Sequence, residues 1–279
     1  MSAPLYGLVL AGGRSTRMGR DKAALAYRGR SQLEAAWALL EGRVARCFVS
    51  VRPDQVDEPA RARHPQIVDG PEGVGPAAGL LAAQRAHPEA AWLVLACDLP
   101  FLDAGTLDAL PAARDTGKLA TAFRSAHDGL PEPLCAVYEP AAAPHFARYV
   151  AEGRSCPRKF LITHDVKLVD LPRADALDNI NSADEYWSTM ESLAPQALAP
   201  RPLEVRYFAL LREQAGLSQE RITSAARTPR ELYGELRARH GFTLPEAMLK
   251  VAVNGEFGDW DQPLVPGDSV VFIPPVAGG

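Results

Sequence analysis

A chain of 279 residues has room for one or two domains, and 47% hydrophobic with 23% charged residues is the make-up of an ordinary soluble protein. A net charge of −4 argues against general nucleic-acid affinity. No apolar run approaches the ~18 residues of a membrane span, and no basic stretch leads into a signal-type apolar one at the start. The four cysteines, Cys47, Cys97, Cys135 and Cys156, are scattered without C-x-x-C spacing. They read as reduced thiols, and a cytoplasmic location is expected.

Tyr6 to Leu10 is an apolar run of the kind found in buried parallel strands. It breaks at Ala11-Gly12-Gly13, where a bare backbone can turn sharply and approach a ligand. Arg17 and Lys22 then bring cations around Gly19. Backbone amides with two cations make a cradle for a polyphosphate. The loop is neither a Gly-Lys-Ser/Thr phosphate loop nor a Gly-x-Gly-x-x-Gly dinucleotide fingerprint.

Ser31 to Glu41 predicts a helix, Arg46 to Val51 a second strand and Ile67 to Asp69 a third, with Asp69 at its carboxyl end. Gly70 to Gly79, including Gly75, is a second glycine-rich loop leading into a helix that runs to His87. Trp92 to Ala96 is the most apolar strand and feeds directly into Cys97-Asp98-Leu99-Pro100. Strand and helix patterns alternate to about Leu110, which predicts a doubly wound, mostly parallel α/β sheet. Such sheets bind ligands at the carboxyl ends of their strands. The first glycine loop, Asp69 and Asp98 all fall there.

Further strands are expected at Leu119 to Phe123, Pro133 to Tyr138 and, at an edge, Lys167 to Leu171. Helices are expected at about Ala141 to Glu152 and at Pro157 to Thr163. Asn179-Ile180-Asn181 precedes a last helix, with Ser182 and Glu185 spaced as a capping box. The first domain is thus 1–193. Residues 194–202, with Pro195, Pro200 and Pro202, read as a stiff linker. From 203 to 279 the pattern is β-α-β-α-β-β, a small mixed roll. It has Thr228-Pro229 opening a helix, Gly241 closing it, and Asn254-Gly255 marking a tight turn. The last strand, Val270 to Ile273, runs into Pro274-Pro275-Val276-Ala277-Gly278-Gly279. Six residues from Pro274 reach at most ~20 Å, a slender tail able to enter a narrow site.

The run Leu10-Ala11-Gly12-Gly13-Arg14-Ser15-Thr16-Arg17-Met18-Gly19-Arg20-Asp21-Lys22 resembles the signature of the molybdenum cofactor nucleotidyltransferases. Cys97-Asp98-Leu99-Pro100 resembles their Mg²⁺-binding motif, and the resemblance covers about residues 5 to 190. It implies transfer of GMP from GTP to molybdenum-molybdopterin, with Asp98 binding Mg²⁺ and nucleotide. It also implies that Lys22, with Arg17, meets the phosphates. Leu10, Ala11, Gly12 and Gly13 would line the nucleotide site, as would Asp69 and Gly75. Asn179 and Asn181 would stand on the pterin side. Guanylyltransferases commonly carry Asn-Arg where this chain has Arg52-Pro53, so a base contact by Arg52 is not expected. Asn179-Ile180-Asn181, in place of the Asp-Ile-Asp of the cytidylyltransferase branch, favours GTP over CTP. A sugar-phosphate nucleotidyltransferase is the other enzyme with a related first loop.

Residues 202 to 279 resemble the small subunit of molybdopterin synthase, a ubiquitin-like sulfur carrier with a β-grasp fold. That resemblance implies a thiocarboxylate on Gly279, an adenylating enzyme as one partner and the synthase large subunit as another. The alternative for this domain is a docking module or protein modifier.

Overall fold

The computed structural model describes residues 2–13, 22–27, 30–70, 75–180, 182–193 and 199–275. The chain divides after Ile180 into two compact units. In the first, β1 (Leu5–Leu10) is followed by a small hairpin, β2 (Ala26–Tyr27) and β3 (Arg30–Ser31). Next come α1 (Gln32–Glu41), β4 (Arg46–Val51), β5 (Gln66–Val68), α2 (Pro76–Ala86), β6 (Ala91–Ala96) and α3 (Ala104–Ala112). β7 (Ala120–Arg124), β8 (Pro131–Tyr138), α4 (Ala142–Ala151), α5 (Pro157–Thr163) and β9 (Val166–Asp170) complete it.

Seven of these strands form one sheet, in the order β5-β4-β1-β6-β8-β7-β9. β5, β4, β1 and β6 pair in parallel, while β8 runs antiparallel to both β6 and β7. β9 is an edge strand, as expected, and lies parallel to β7. Alternation along β6 feeds two cores. Trp92 and Val94 point into the layer with Leu80, Leu81, Phe146 and Phe160 from α2, α4 and α5. Leu93 and Leu95 point into the layer with Leu33, Leu40, Leu107 and Leu110 from α1 and α3. A strand covered on both faces must be apolar throughout, and all six residues of β6 are buried. The sheet is therefore doubly wound. α3 carries no separate signal in the sequence reading.

The second unit contains α6 (Ala183–Leu193), β10 (Arg201–Tyr207), α7 (Ala209–Ala215) and β11 (Gln219–Ser224). α8 (Pro229–His240), β12 (Lys250–Val253), β13 (Glu256–Phe257) and β14 (Ser269–Ile273) follow. The sheet order is β11-β10-β14-β12-β13, with β14 parallel to β10 and antiparallel to β12. β10 alternates buried and exposed positions, so one face is covered. Leu232, Tyr233 and Leu236 of α8 pack there on Val205, Val270 and Phe272. This is the expected ubiquitin-like roll with one extra short strand, β13. Asn254 and Gly255 both have positive φ, so the predicted tight turn makes a hairpin. Local signals set both helix boundaries. Thr228 accepts from the Glu231 amide at 3.3 Å, and Gly216 and Gly241 end α7 and α8 in the left-handed region.

The division between the units falls before α6. The Ser182–Glu185 capping box does form, at 3.2 and 3.3 Å. Trp187 is buried under the Arg201 guanidinium at 4.5 Å, and Glu191 pairs with Arg227 at 2.6 Å. Among the described residues no helix is long and apolar enough to cross a membrane.

One buried ion pair ties the start of the first unit together. Arg114 donates to both oxygens of Glu139, at 2.6 and 2.8 Å, and to the Ala3 carbonyl at 3.1 Å. The Glu139 side chain is 3% exposed. Removing one partner strands the other charge, which costs more than the pair itself contributes. Glu139→Ala should therefore lower unfolding stability by about 3 kcal/mol. Glu139→Gln, which still accepts from Arg114, should cost less. Urea titrations of the three proteins measure both.

Candidate nucleotide site

Strand register builds the site. Leu10 lies level with Ser50 of β4 on one side and Ala96 of β6 on the other. The Ala11 amide continues onto the Ser50 carbonyl, and the Cys97 amide onto the Leu10 carbonyl, both at 3.3 Å. The Asp69 amide bonds the Val51 carbonyl at 2.8 Å. Asp69, Arg52, Ala11-Gly12 and Cys97-Asp98 thus stand in one row at the carboxyl ends of β5, β4, β1 and β6. Neighbouring strands are ~4.8 Å apart, so Asp69 and Asp98 are roughly 14 Å from each other. That distance excludes a shared ion. It suits the two ends of an extended ligand.

At one end, Asp69 accepts from the Ser50 hydroxyl at 2.6 Å. Burial pushes its carboxyl above the ordinary aspartate value, against the opposing pull of Ser50 and Arg52. The glycines here leave room for a close approach. A Cβ on Gly12 would come within 3.1 Å of Asp69 Oδ2. One on Gly79 would be 2.3 Å from Ser50 Oγ and 2.9 Å from Leu10 Cδ2. Gly79 is not in a loop: α2 begins at Pro76, with Gly75 as its N-cap. Proline at the first helical position starts the helix earlier than the glycine-rich pattern suggested.

Two arginines brace the first loop. Arg52 donates to the Gly12 carbonyl at 2.5 Å and holds Asp54 at 2.9 Å. Its contact is with the loop backbone. Arg61, with a side chain 1% exposed, donates to the Ala11 carbonyl at 3.2 and 2.6 Å and pairs with Glu58. Nothing in the sequence marked Arg61. Ser50 did leave a signal, as a hydroxyl within the buried run of β4.

At the other end, Asp98 lines a pocket of about 210 Å³ with Glu132, Pro133, Cys135, Arg158 and Asn179. Arg158 donates to Glu132 at 2.8 Å and to Asp128 at 3.0 Å. Burial raises the Cys135 thiol, so it is no nucleophile. Two carboxylates and a guanidinium suit a phosphate ester and a hard divalent cation, which takes one or two carboxylates alongside phosphate oxygens. Among the described residues no cluster of three or more His, Cys, Asp and Glu could cage a metal by itself. Glu132 and Arg158 were not singled out from the sequence. Arg17, the Lys22 side chain, Asn181 and Gly279 lie outside the described residues, while the Lys22 backbone opens a short 3-10 helix, Lys22–Ala24.

Residues 7–168 match the family of the MobA-like NTP transferase domain, and residues 205–279 match the ThiS family. The chain is 37% identical over 183 residues to a molybdenum cofactor biosynthesis bifunctional protein of Synechocystis. That match takes in 66% of this chain and 53% of the relative, so the chain spans about half the relative's length. It is 34% identical over 181 residues to a probable molybdenum cofactor guanylyltransferase of Opitutus terrae, over 62% of this chain and 88% of that one. Among solved structures, molybdopterin-guanine dinucleotide biosynthesis protein A of Archaeoglobus fulgidus superposes with a TM-score of 0.58. It has 24% identity over 68% of this chain and 99% of that chain, a likeness of fold.

Ionised Asp69 is held against a desolvation cost. With its folded pKa raised, the stability supplied by the protonated form is complete below the ordinary value of 3.8. It is lost as pH rises through the higher folded value. Asp69→Asn, which keeps an acceptor for Ser50, should raise the melting midpoint at pH 7 by about 2–4 °C. It should also flatten the fall in stability above pH 4 and weaken nucleotide binding. Calorimetry across pH, with nucleotide titration, measures all three.

Proposed function

The chain belongs to the MobA-like NTP transferase family, and from that premise we propose that its first unit transfers GMP from GTP to molybdenum-molybdopterin, releasing pyrophosphate. The observation that carries this reading is the row of Asp69, the Ala11-Gly12 loop and Asp98 along four strand ends. A nucleotide lying across that row has Leu10, Ala11, Gly12, Gly13, Asp69 and Gly75 beside its base and ribose end. Asp98 stands at the phosphate end. The pterin phosphate then occupies the pocket beside Arg158 and Asn179, and Asn181 is assigned to the pterin as well.

A phosphate oxygen of the pterin attacks the α-phosphorus of GTP, and the bond to pyrophosphate breaks. Both reactants are anions, so catalysis rests on cations and amide dipoles placed before the reaction begins. Arg17 and Lys22 are assigned to the leaving pyrophosphate. Asp98, with Glu132 close by, would hold Mg²⁺, which when bound neutralises triphosphate charge. No protein nucleophile is needed. Asn179 and Asn181 favour GTP over CTP in this reading.

For the second unit we infer sulfur carriage. Gly279 would be adenylated by a partner enzyme and converted to a thiocarboxylate, and its sulfur delivered in the large subunit of molybdopterin synthase. The ThiS match over 205–279 supports it. So does the anchoring of β14 between β10 and β12, directly ahead of the tail that starts at Pro274.

Asp98→Ala should reduce GMP transfer about a hundredfold or more, because it removes charge stabilisation at the reacting phosphates. The far-UV dichroism should stay unchanged. Near-normal turnover at limiting Mg²⁺ would take Asp98 out of the mechanism. Deleting Gly278 and Gly279 should abolish sulfur transfer to the pterin precursor in the presence of the large synthase subunit. Guanylyl transfer should be spared. Mass spectrometry of the pterin products follows both reactions.

A further inference from the structure

The Ala11 and Gly12 carbonyls are each held by an arginine from the segment that follows β4. All peptide bonds of the described chain are trans. In a trans peptide the carbonyl of one residue and the amide of the next point in opposite directions. Fixing the Ala11 carbonyl on Arg61 therefore turns the Gly12 amide away from the protein body. Fixing the Gly12 carbonyl on Arg52 does the same for the Gly13 amide. Neither amide has a hydrogen-bond partner among the described residues. Gly13 is exposed, and a Cβ built on it would meet nothing within 4 Å.

The charges matter as much as the directions. Arg61 is paired with Glu58 and Arg52 with Asp54. Each guanidinium is thus compensated on the protein side and adds little net positive field towards a ligand. Their donors are spent on loop carbonyls, and Arg61 is too deeply buried to reach a nucleotide. The segment itself is stiffened. Gln55, buried, accepts from the Arg52 amide at 3.2 Å, and the Arg61 amide bonds the Glu58 carbonyl at 2.9 Å.

We propose that Arg61 and Arg52 are positioning residues for the nucleotide. They clamp the Ala11 and Gly12 carbonyls so that the Gly12 and Gly13 amides stay presented to acceptor atoms of the bound nucleotide. This rests on the nucleotidyltransferase reading and adds to it the device that orders the loop before substrate arrives. Amides so fixed need no reorganisation on binding, and that is where such a clamp acts.

The test uses the full chain and four proteins: wild type, Arg52→Ala, Arg61→Met and Arg61→Lys. GMP transfer is measured over a range of MgGTP. Amide hydrogen exchange of the peptide spanning Gly12 and Gly13 is measured with and without MgGTP. A hydrogen bond from a charged donor corresponds to about tenfold or more in affinity. Arg52→Ala is expected to raise KM for GTP about tenfold with kcat within a few-fold, and to lose the protection that MgGTP gives the wild-type peptide. Arg61→Met should have the larger effect, and Arg61→Lys should recover part of it.

Wild-type KM and wild-type protection in Arg52→Ala would overturn the proposal. So would a parallel loss of kcat and melting temperature with KM unchanged, since that marks a structural brace alone. Should Arg61→Met not fold, Arg52→Ala decides, because its side chain is half-buried and the Gly12 carbonyl can be hydrated. Failure of the wild-type chain to bind or turn over any nucleoside triphosphate sinks the enzyme reading itself, and the clamp with it. Normal wild-type turnover with an unaffected Arg52→Ala sinks only the clamp.

Discussion

The parallel pairing of β1 between β4 and β6 is the constraint on which the first unit depends. Leu10 is aligned with Ser50 and Ala96, so the next residue of each strand leaves the sheet at the same level. A slip of one residue would turn Leu8 and Val9 to opposite faces and exchange their two cores. Both cores are closed by helices, so the register is strongly specified. The glycine loop, Arg52 and Asp98 inherit their positions from it.

Around this row the protein keeps charge close to apolar layers. Asp69 is partly desolvated, Arg61 is buried, and Asp98 shares a pocket with Glu132 and Arg158. The arginines around the row are paired: Arg61 with Glu58, Arg52 with Asp54 and Arg158 with Glu132. Asp69 is the exception in kind, since burial outweighs the help it receives from Ser50 and Arg52. Gly12 and Gly79 keep space around Asp69 and Ser50: a Cβ on Gly79 would strike Ser50, and one on Gly12 would crowd Asp69.

The second unit solves a different problem with a single core. Its last strand, β14, lies inside the sheet beside β10, the first strand of the roll. The chain end is therefore held on both sides up to Ile273, with Pro274-Pro275 following. α6 joins this unit through Trp187 stacked on Arg201 and Glu191 paired with Arg227. The helix that follows the Asn179-Ile180-Asn181 motif is thus energetically part of the roll.

Much of this was legible in the sequence, where the deciding signals are local. The apolar run of β6, the capping pairs Ser182–Glu185 and Thr228–Glu231, the stop at Gly241 and the Asn254-Gly255 turn each depend on a few consecutive residues. Local periodicity and turn chemistry fixed those, along with the fold class and the placing of the Ala11-Gly12 loop, Asp69 and Asp98 at strand ends. Tertiary structure alone decided the antiparallel insertion of β8, the union of Ser50, Asp69 and Gly79, and the partner of α6. It also decided the hold of Arg61 on the Ala11 carbonyl, fifty residues away in the chain. An arginine in a polar stretch reads as a solvated charge until packing brings a carbonyl and a carboxylate to it. No local propensity encodes that meeting, because its free energy comes from burial shared among segments that are neighbours only once the sheet has formed.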